Sequence, residues 1–158
     1  MEVRFYQLAA TSLEAALPQL LTKVLERGLR AVVEAGSRER VEMLDQHLWT
    51  FSDAAFLPHG TAADGHAEEQ PVFLTDAPIT PNGANVRVFV DGARPDILDE
   101  TGLEMVLVLF SSSDPEGLQS ARALWRSCKE KGRAAVYFTQ GEGRGWTETA
   151  RLQTAEPA

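Results

Sequence analysis

Arg122, Arg126, Lys129 and Arg133 follow one another at steps of four, three and four residues, the spacing that lines side chains along one face of a helix, in a chain of 158 residues with a net charge of −8. Residues 115–133 hold five basic side chains against Glu116 and Glu130, whereas the rest of the chain has ten against 21. The apolar set Leu118, Ala121, Leu124, Trp125 and Cys128 occupies the adjoining face, with Leu118 and Trp125 nearest the cations. Fixed cations beside an aromatic suit an acidic ligand that carries an apolar or aromatic group, such as a peptide end with a free carboxylate. The plainer reading is a solvated basic face that offsets an acidic surface.

The other reactive residue types carry less. Gly141, Gly143 and Gly145 follow a strand, but a dinucleotide site needs glycines feeding a helix whose N-terminus holds the pyrophosphate, and no amphipathic helix follows them. The first strand-to-helix junction, 8–12, has no glycine. His59 and His66 bracket a loop with Asp64, Glu68 and Glu69 but lack the convergent spacing of a metal site, and these two and His47 read as surface residues. Ser111, Ser112, Ser113 and Asp114 lie where backbone N–H groups attract anions, and they serve equally as a loop and N-cap. Asp96, Asp99 and Glu100 read as solvated acids, and the lone Cys128 as a small core hydrophobe. With no nucleophile, base or metal cluster beside the cations, neither catalysis nor a cofactor or metal is expected.

A composition of 44% hydrophobic, 24% charged and 8% aromatic residues fits one globular domain, long enough to bury a core without disulfides or metals. The single cysteine and the lack of a membrane-length apolar run or signal peptide lead to the expectation of a cytoplasmic protein. The acidic balance repels phosphate backbones, so a nucleic-acid role needs a local patch or a protein intermediary.

The periodicity predicts a strand over 3–8, then a helix opened by a capping box at Thr11 and Glu14 and ended by Gly28, with a kink or late start at Pro18. A strand over 29–34 and a helix capped by Ser37 complete a β-α-β-α opening, the sign of a parallel sheet. Residues 72–74 and 86–90 read as two short strands in an antiparallel or loosely paired edge, joined through a turn at Pro81, Asn82 and Gly83. The apolar run 105–110 marks a central strand covered on both faces, and a long helix from Pro115 to about Lys131 leads to a last strand over 134–138. The expected architecture is a single α/β domain over 1–140, a mostly parallel central sheet flanked by helices, followed by a flexible Gly-rich tail over 141–158.

Trp49, Phe51 and Phe56 form a second aromatic group, of a kind that is commonly buried as core anchors. With this segment included, the chain resembles the chi subunit of bacterial DNA polymerase III, part of the clamp-loader assembly. The matching pieces are Phe5-Tyr6, Leu44-Asp45 to Trp49, Phe56-Leu57-Pro58-His59, Pro71-Val72, Ala121-Arg122-Ala123-Leu124-Trp125 and Gly132, in order over nearly the whole chain. The resemblance implies a nucleotide-binding-like α/β fold that binds no nucleotide and has no catalytic constellation. It also implies a linker role: chi-like proteins bind the acidic C-terminal tail of the single-stranded DNA-binding protein and, where one exists, the psi subunit. Carried over by position, the peptide site is Trp49, Phe56, Arg122 and Trp125, to which the helical spacing adds Arg126. Well-known members have a basic residue one turn before the arginine matched by Arg122; here Leu118 stands there, which leaves Arg126 or Lys129 to supply the charge. The competing function, of another class, is a small α/β enzyme or regulator that binds an anionic metabolite on the same basic face.

Overall fold

The described residues of the computed structural model, 1–9, 11–50, 57–140 and 145–153, form one eight-stranded sheet flanked by helices. In chain order the elements are β1 (Glu2–Leu8), α1 (Leu13–Glu26), β2 (Ala31–Glu34), α2 (Arg38–Thr50), β3 (Gly60–Thr61), β4 (Val72–Thr75), β5 (Val86–Phe89), β6 (Met105–Ser111), α3 (Pro115–Lys131), β7 (Ala134–Gln140) and β8 (Trp146–Leu152). The strand order is β3-β4-β2-β5-β6-β1-β7-β8, and every neighbouring pair is parallel except β7 with β8.

Strand alternation divides the core in two. Tyr6, Val33, Val88 and Leu107 face α1 and α2, while Val3, Phe5, Phe89 and Val108 face α3 and a short 3-10 turn at Pro95–Asp99. The crossover from β1 to β2 passes β6 and β5, and the crossover from β6 to β7 passes β1 in the opposite direction. Right-handed crossovers running in opposite directions place their helices on opposite faces, so α3 lies across the sheet from α1 and α2.

One helix start differs in detail from expectation. The cap of α1 is Ser12 rather than Thr11, accepting from the Ala15 N–H at 3.2 Å, and the helix runs from Leu13 straight through Pro18 with no late start. Pro18 has no N–H for the Glu14 carbonyl, and Nε2 of His47 on α2 takes that carbonyl instead. His47, expected at the surface, therefore joins α2 to α1. Ser37 caps α2 as expected, accepting from the Arg40 N–H at 3.2 Å.

β4 and β5 are not the antiparallel edge that their sequence suggests. Both lie parallel to β2, one on each side of it, and all three are buried throughout, as interior parallel strands must be. Their connection returns over the α3 face of the sheet, held there by Arg87, whose side chain is only 1% exposed. Its Nε and one Nη donate to Glu34 Oε1, and the Nη groups also donate to the Ala77 and Ile79 carbonyls at 2.9 and 3.0 Å and to Thr80 Oγ1 at 3.1 Å. All five guanidinium N–H donors are thus used, which satisfies an arginine in the interior. Arg94 closes the other side of Glu34, with Nε 2.8 Å from Oε2.

The chain also does not leave the fold after β7. Residues 146–152, expected within a flexible tail, form β8, antiparallel to β7 with a register shift at Tyr137 and Phe138. Trp146 packs on Tyr6, ring centroids 5.1 Å apart, and Leu152 packs against the α3-side core. The bulge and the Glu148–Arg151 ion pair at 2.5 Å roughen an edge that would otherwise be flat.

Candidate functional site

Helix α3 positions the cations. Pro115 opens it, and Gly132, in the left-handed conformation at φ 67°, closes it with the Arg133 N–H donating to the Cys128 carbonyl at 2.9 Å. Ala121, Leu124 and Cys128 are buried against the sheet, Leu118 and Trp125 are half-buried on one flank, and Arg122, Arg126 and Lys129 are exposed beside them. The expected stripe is shorter at its C-terminal end. Arg133 lies beyond the helix, where the Gly132 turn aims its guanidinium at the Leu98 carbonyl, 3.1 Å away. Lys131 pairs with Asp99 at 3.0 Å on the opposite flank.

Among the described residues, Arg122, Arg126 and Lys129 have no carboxylate partner, a property they share with Lys23, Arg27, Arg30 and Arg133, whereas Arg4, Arg38, Arg40, Arg87, Arg94, Lys131 and Arg151 all have one. Three adjacent unpaired cations in an acidic chain concentrate the positive potential on this flank. Beside them lies an aromatic cluster. Trp125 sets its ring edge-on to Phe5 and to Tyr137, centroids 5.6 and 5.9 Å apart, and Tyr137 stacks on Phe5 at 5.8 Å. Burial pushes the Tyr137 phenol above its ordinary value, and the Arg122 charge acts in the opposite direction, so the two side chains share one electrostatic environment.

Trp49 is elsewhere. It lies at the end of α2, across the sheet from α3, and at 51% exposed it is a surface aromatic rather than a core anchor. It leans on His59, centroids 4.6 Å apart. His59 is buried, with Nδ1 2.7 Å from the Leu57 carbonyl and Nε2 3.2 and 3.1 Å from the Asp45 carbonyl and carboxylate. Both ring nitrogens therefore face acceptors. Burial holds the Asp45 carboxyl above its usual range, against the opposing attraction of His59. Of the five expected site residues, the fold thus brings together Arg122, Trp125 and Arg126 and separates Trp49 from them; Phe56 and Phe51 lie outside the described residues.

Residues 1–135 match the DNA polymerase III chi subunit family, HolC. The chain belongs to that family. Over 75 residues it is 33% identical to the probable DNA polymerase III subunit chi of Rickettsia prowazekii (strain Madrid E), a match that covers 48% of this chain and 46% of that protein. The chain thus spans about half the length of this curated relative. Chi is a non-catalytic accessory subunit of the replicative polymerase.

Two features of this chi-family chain bear on its chemistry. At the β1–α1 junction, where a nucleotide-binding sheet seats a phosphate, the Gln140 amide oxygen accepts from the Ala9 and Thr11 N–H groups at 3.1 and 3.0 Å, and its Nε2 donates to Thr11 Oγ1 at 2.7 Å. The Ala9 and Thr11 N–H groups at this junction are thus already used. A cavity of about 430 Å³ lies between α2 and β4, lined by Arg38, Glu42, Thr61, Leu74 and Asp76; Arg38 faces Glu42 at 3.6 Å, so its charge is answered within the rim.

Sequence reasoning missed Tyr137 as a neighbour of Trp125, and Gln7 as the hydrogen-bond partner of Tyr137. Only the alternation of 3–8 and 134–138 hinted that Phe5 and Tyr137 each belong to a face, and no local pattern says that β1 and β7 are adjacent in register.

Proposed function

We propose that this chain is an adaptor of the DNA polymerase III holoenzyme that binds the acidic C-terminal tail of the single-stranded DNA-binding protein along α3 and links it to the clamp loader, through a psi-like subunit where one is present. The observation that carries this reading is the set of three adjacent exposed cations, Arg122, Arg126 and Lys129, without carboxylate partners among the described residues, beside the half-buried Leu118 and Trp125. Aspartates of the tail meet the cations, and its terminal phenylalanine packs on the apolar ledge with its carboxylate at Arg122. Leu118, in place of a cation, enlarges that ledge toward the start of the helix, and the following charge comes from Lys129.

Trp49 lies at the end of α2, on the opposite face of the sheet from α3, and in this reading serves the clamp-loader side of the linkage. Three exposed cations on a chain of net charge −8 are too few for tight direct binding to a phosphate backbone, because affinity there grows with the number of counterions released.

Titration of the full chain with a synthetic peptide of aspartates, proline and a terminal phenylalanine tests the proposal. The free-acid peptide binds and the C-terminal amide binds at least about tenfold more weakly, with affinity falling as salt rises. Equal binding of the two forms rejects it, as does submicromolar affinity for bare single-stranded DNA at physiological salt.

A further inference from the structure

We infer that the Tyr137 hydroxyl is a second hydrogen-bond donor to the ligand carboxylate at Arg122, with Gln7 holding it ready; the inference rests on the tail-binding reading above. Tyr137 is the central ring of the cluster beneath the cations. It stacks on Phe5 at an interplanar angle of 15°, and both Trp125 and Phe110 set their rings edge-on to it, at 86° and 66°. These contacts fix the plane of the ring and leave the hydroxyl no latitude except rotation about its C–O bond.

The hydroxyl is directed by topology. On the α3 face, Phe5 of β1 is opposite Tyr137 of β7, and Gln7 is the next residue on that face toward the C-terminal ends of the strands. The phenol reaches along that direction and donates to Gln7 Oε1. Helix α3 enters from the same end of the sheet, since it begins just after β6, so Leu118 and Arg122, in its first half, lie at the level of Gln7 rather than at the far end. Arg122 acts electrostatically on the phenol.

A carboxylate paired with Arg122 accepts several hydrogen bonds, and one planar guanidinium does not fill all its lone-pair sites. The Tyr137 O–H stands on the ledge side of that pair. By rotating from Gln7 Oε1 toward the carboxylate it completes the set, while the Gln7 side-chain N–H2 can donate back to the phenol oxygen after an amide flip. A phenol kept protonated by its burial is a donor throughout the neutral range. This gives the site a reason to prefer a terminal carboxylate over an aspartate side chain. The terminal group sits next to the aromatic residue that occupies the ledge, within reach of Tyr137, whereas upstream aspartates lie along the exposed cations.

The test compares the free-acid and C-terminal-amide forms of the same aspartate–proline–phenylalanine peptide, titrated against wild type, Tyr137→Phe and Arg122→Ala in the full chain. Tyr137→Phe keeps the ring contacts and is expected to weaken the free-acid peptide by roughly tenfold, the scale of a hydrogen bond to a charged group, and to leave the amide form unchanged. If wild type discriminates between the two forms and Tyr137→Phe does so to the same degree, the role assigned to Tyr137 is wrong while the tail-binding reading stands. Equal loss for both peptide forms, with a lowered melting temperature, shows a structural ring only and also overturns it. If wild type and Arg122→Ala bind both forms alike, the tail-binding reading fails and this inference with it.

Discussion

The carbonyl oxygen of Glu14 on α1 is bonded to Nε2 of His47 on α2. Pro18 is the reason: it sits four residues after Glu14 and has no N–H to donate, so the one acceptor it releases becomes the point at which the second helix is tied to the first. His47→Ala should therefore destabilise the fold by about 1–3 kcal/mol, the cost of a stranded carbonyl. The cost should shrink in a Pro18→Ala background, where residue 18 supplies its own N–H. A double-mutant cycle in urea reads the coupling directly; additive effects would mean that the two residues act independently.

The separation of Trp49 from α3 gives a mutational contrast for tail binding. Arg122→Ala should weaken the tail peptide by at least about tenfold, the scale of an interface arginine, and reversing the charge at Arg126 should weaken it in the same direction. Trp49→Ala should bind the peptide like wild type. Fluorescence anisotropy at low salt checks all three, and a loss in Trp49→Ala equal to that in Arg122→Ala would place the tail across both faces.

Glu34 holds two arginines, Arg87 and Arg94, in a mostly buried group. Glu34→Gln preserves the shape but removes the charge that both arginines face. It should cost about 3–5 kcal/mol, since a buried cation is then left uncompensated. Because Arg87 also pins the 76–85 connection, that segment should lose hydrogen-exchange protection ahead of β6.

Stability should carry a small acid-sensitive component from Glu14. Burial alone raises its pKa, but its own backbone N–H, Arg40 at 3.1 Å and the nearby His47 outweigh burial and hold the carboxyl below its ordinary value. A lowered carboxylate pKa contributes stability above the unfolded-state value that disappears as pH falls through the folded-state value. Glu14→Gln should therefore lose roughly 0.5 kcal/mol at neutral pH, the modest size reflecting solvent screening, and match wild type in acid below the carboxylate range. Denaturation midpoints across pH decide this.

Cys128 is buried on α3, and burial pushes its thiol up to about 11. The native thiol should react with iodoacetamide at neutral pH more than about a hundredfold slower than the unfolded chain. Cys128→Ala should cost about 1–2 kcal/mol through the small cavity it opens and leave peptide affinity unchanged.

Much of the fold is legible in local patterns. Period-two and continuous apolar runs mark β1 and β6, and helical spacing marks α1, α2 and α3, because each pattern depends only on the geometry of its own element. β4 and β5 show where this stops. A turn between two short strands reads as a hairpin, and only the buried Arg87, reaching carbonyls across the returning loop, reveals a parallel crossing. β8 was hidden for another reason: its residues are mostly exposed and polar, and a strand at a sheet edge has no hydrophobic signature of its own.

The placement of Arg122, Arg126 and Lys129 beside Leu118 and Trp125 was determined by the sequence by itself, since 3.6 residues per turn sets those neighbours whatever α3 packs against. Which side of the sheet α3 occupies was decided only by the tertiary structure. Handed crossovers in opposite directions sent α2 and α3 to opposite faces, so Trp49 and Trp125, two aromatics read as one site, are divided by the sheet. Strand order and register likewise brought Phe5 of β1 and Tyr137 of β7 under Trp125, with Gln7 of β1 bonded to Tyr137. The contacts between β1 and β7 join residues about 130 positions apart in the chain, and they exist only once the whole core has chosen one packing, because the side-chain period of a strand names a face but not the neighbour that will share it.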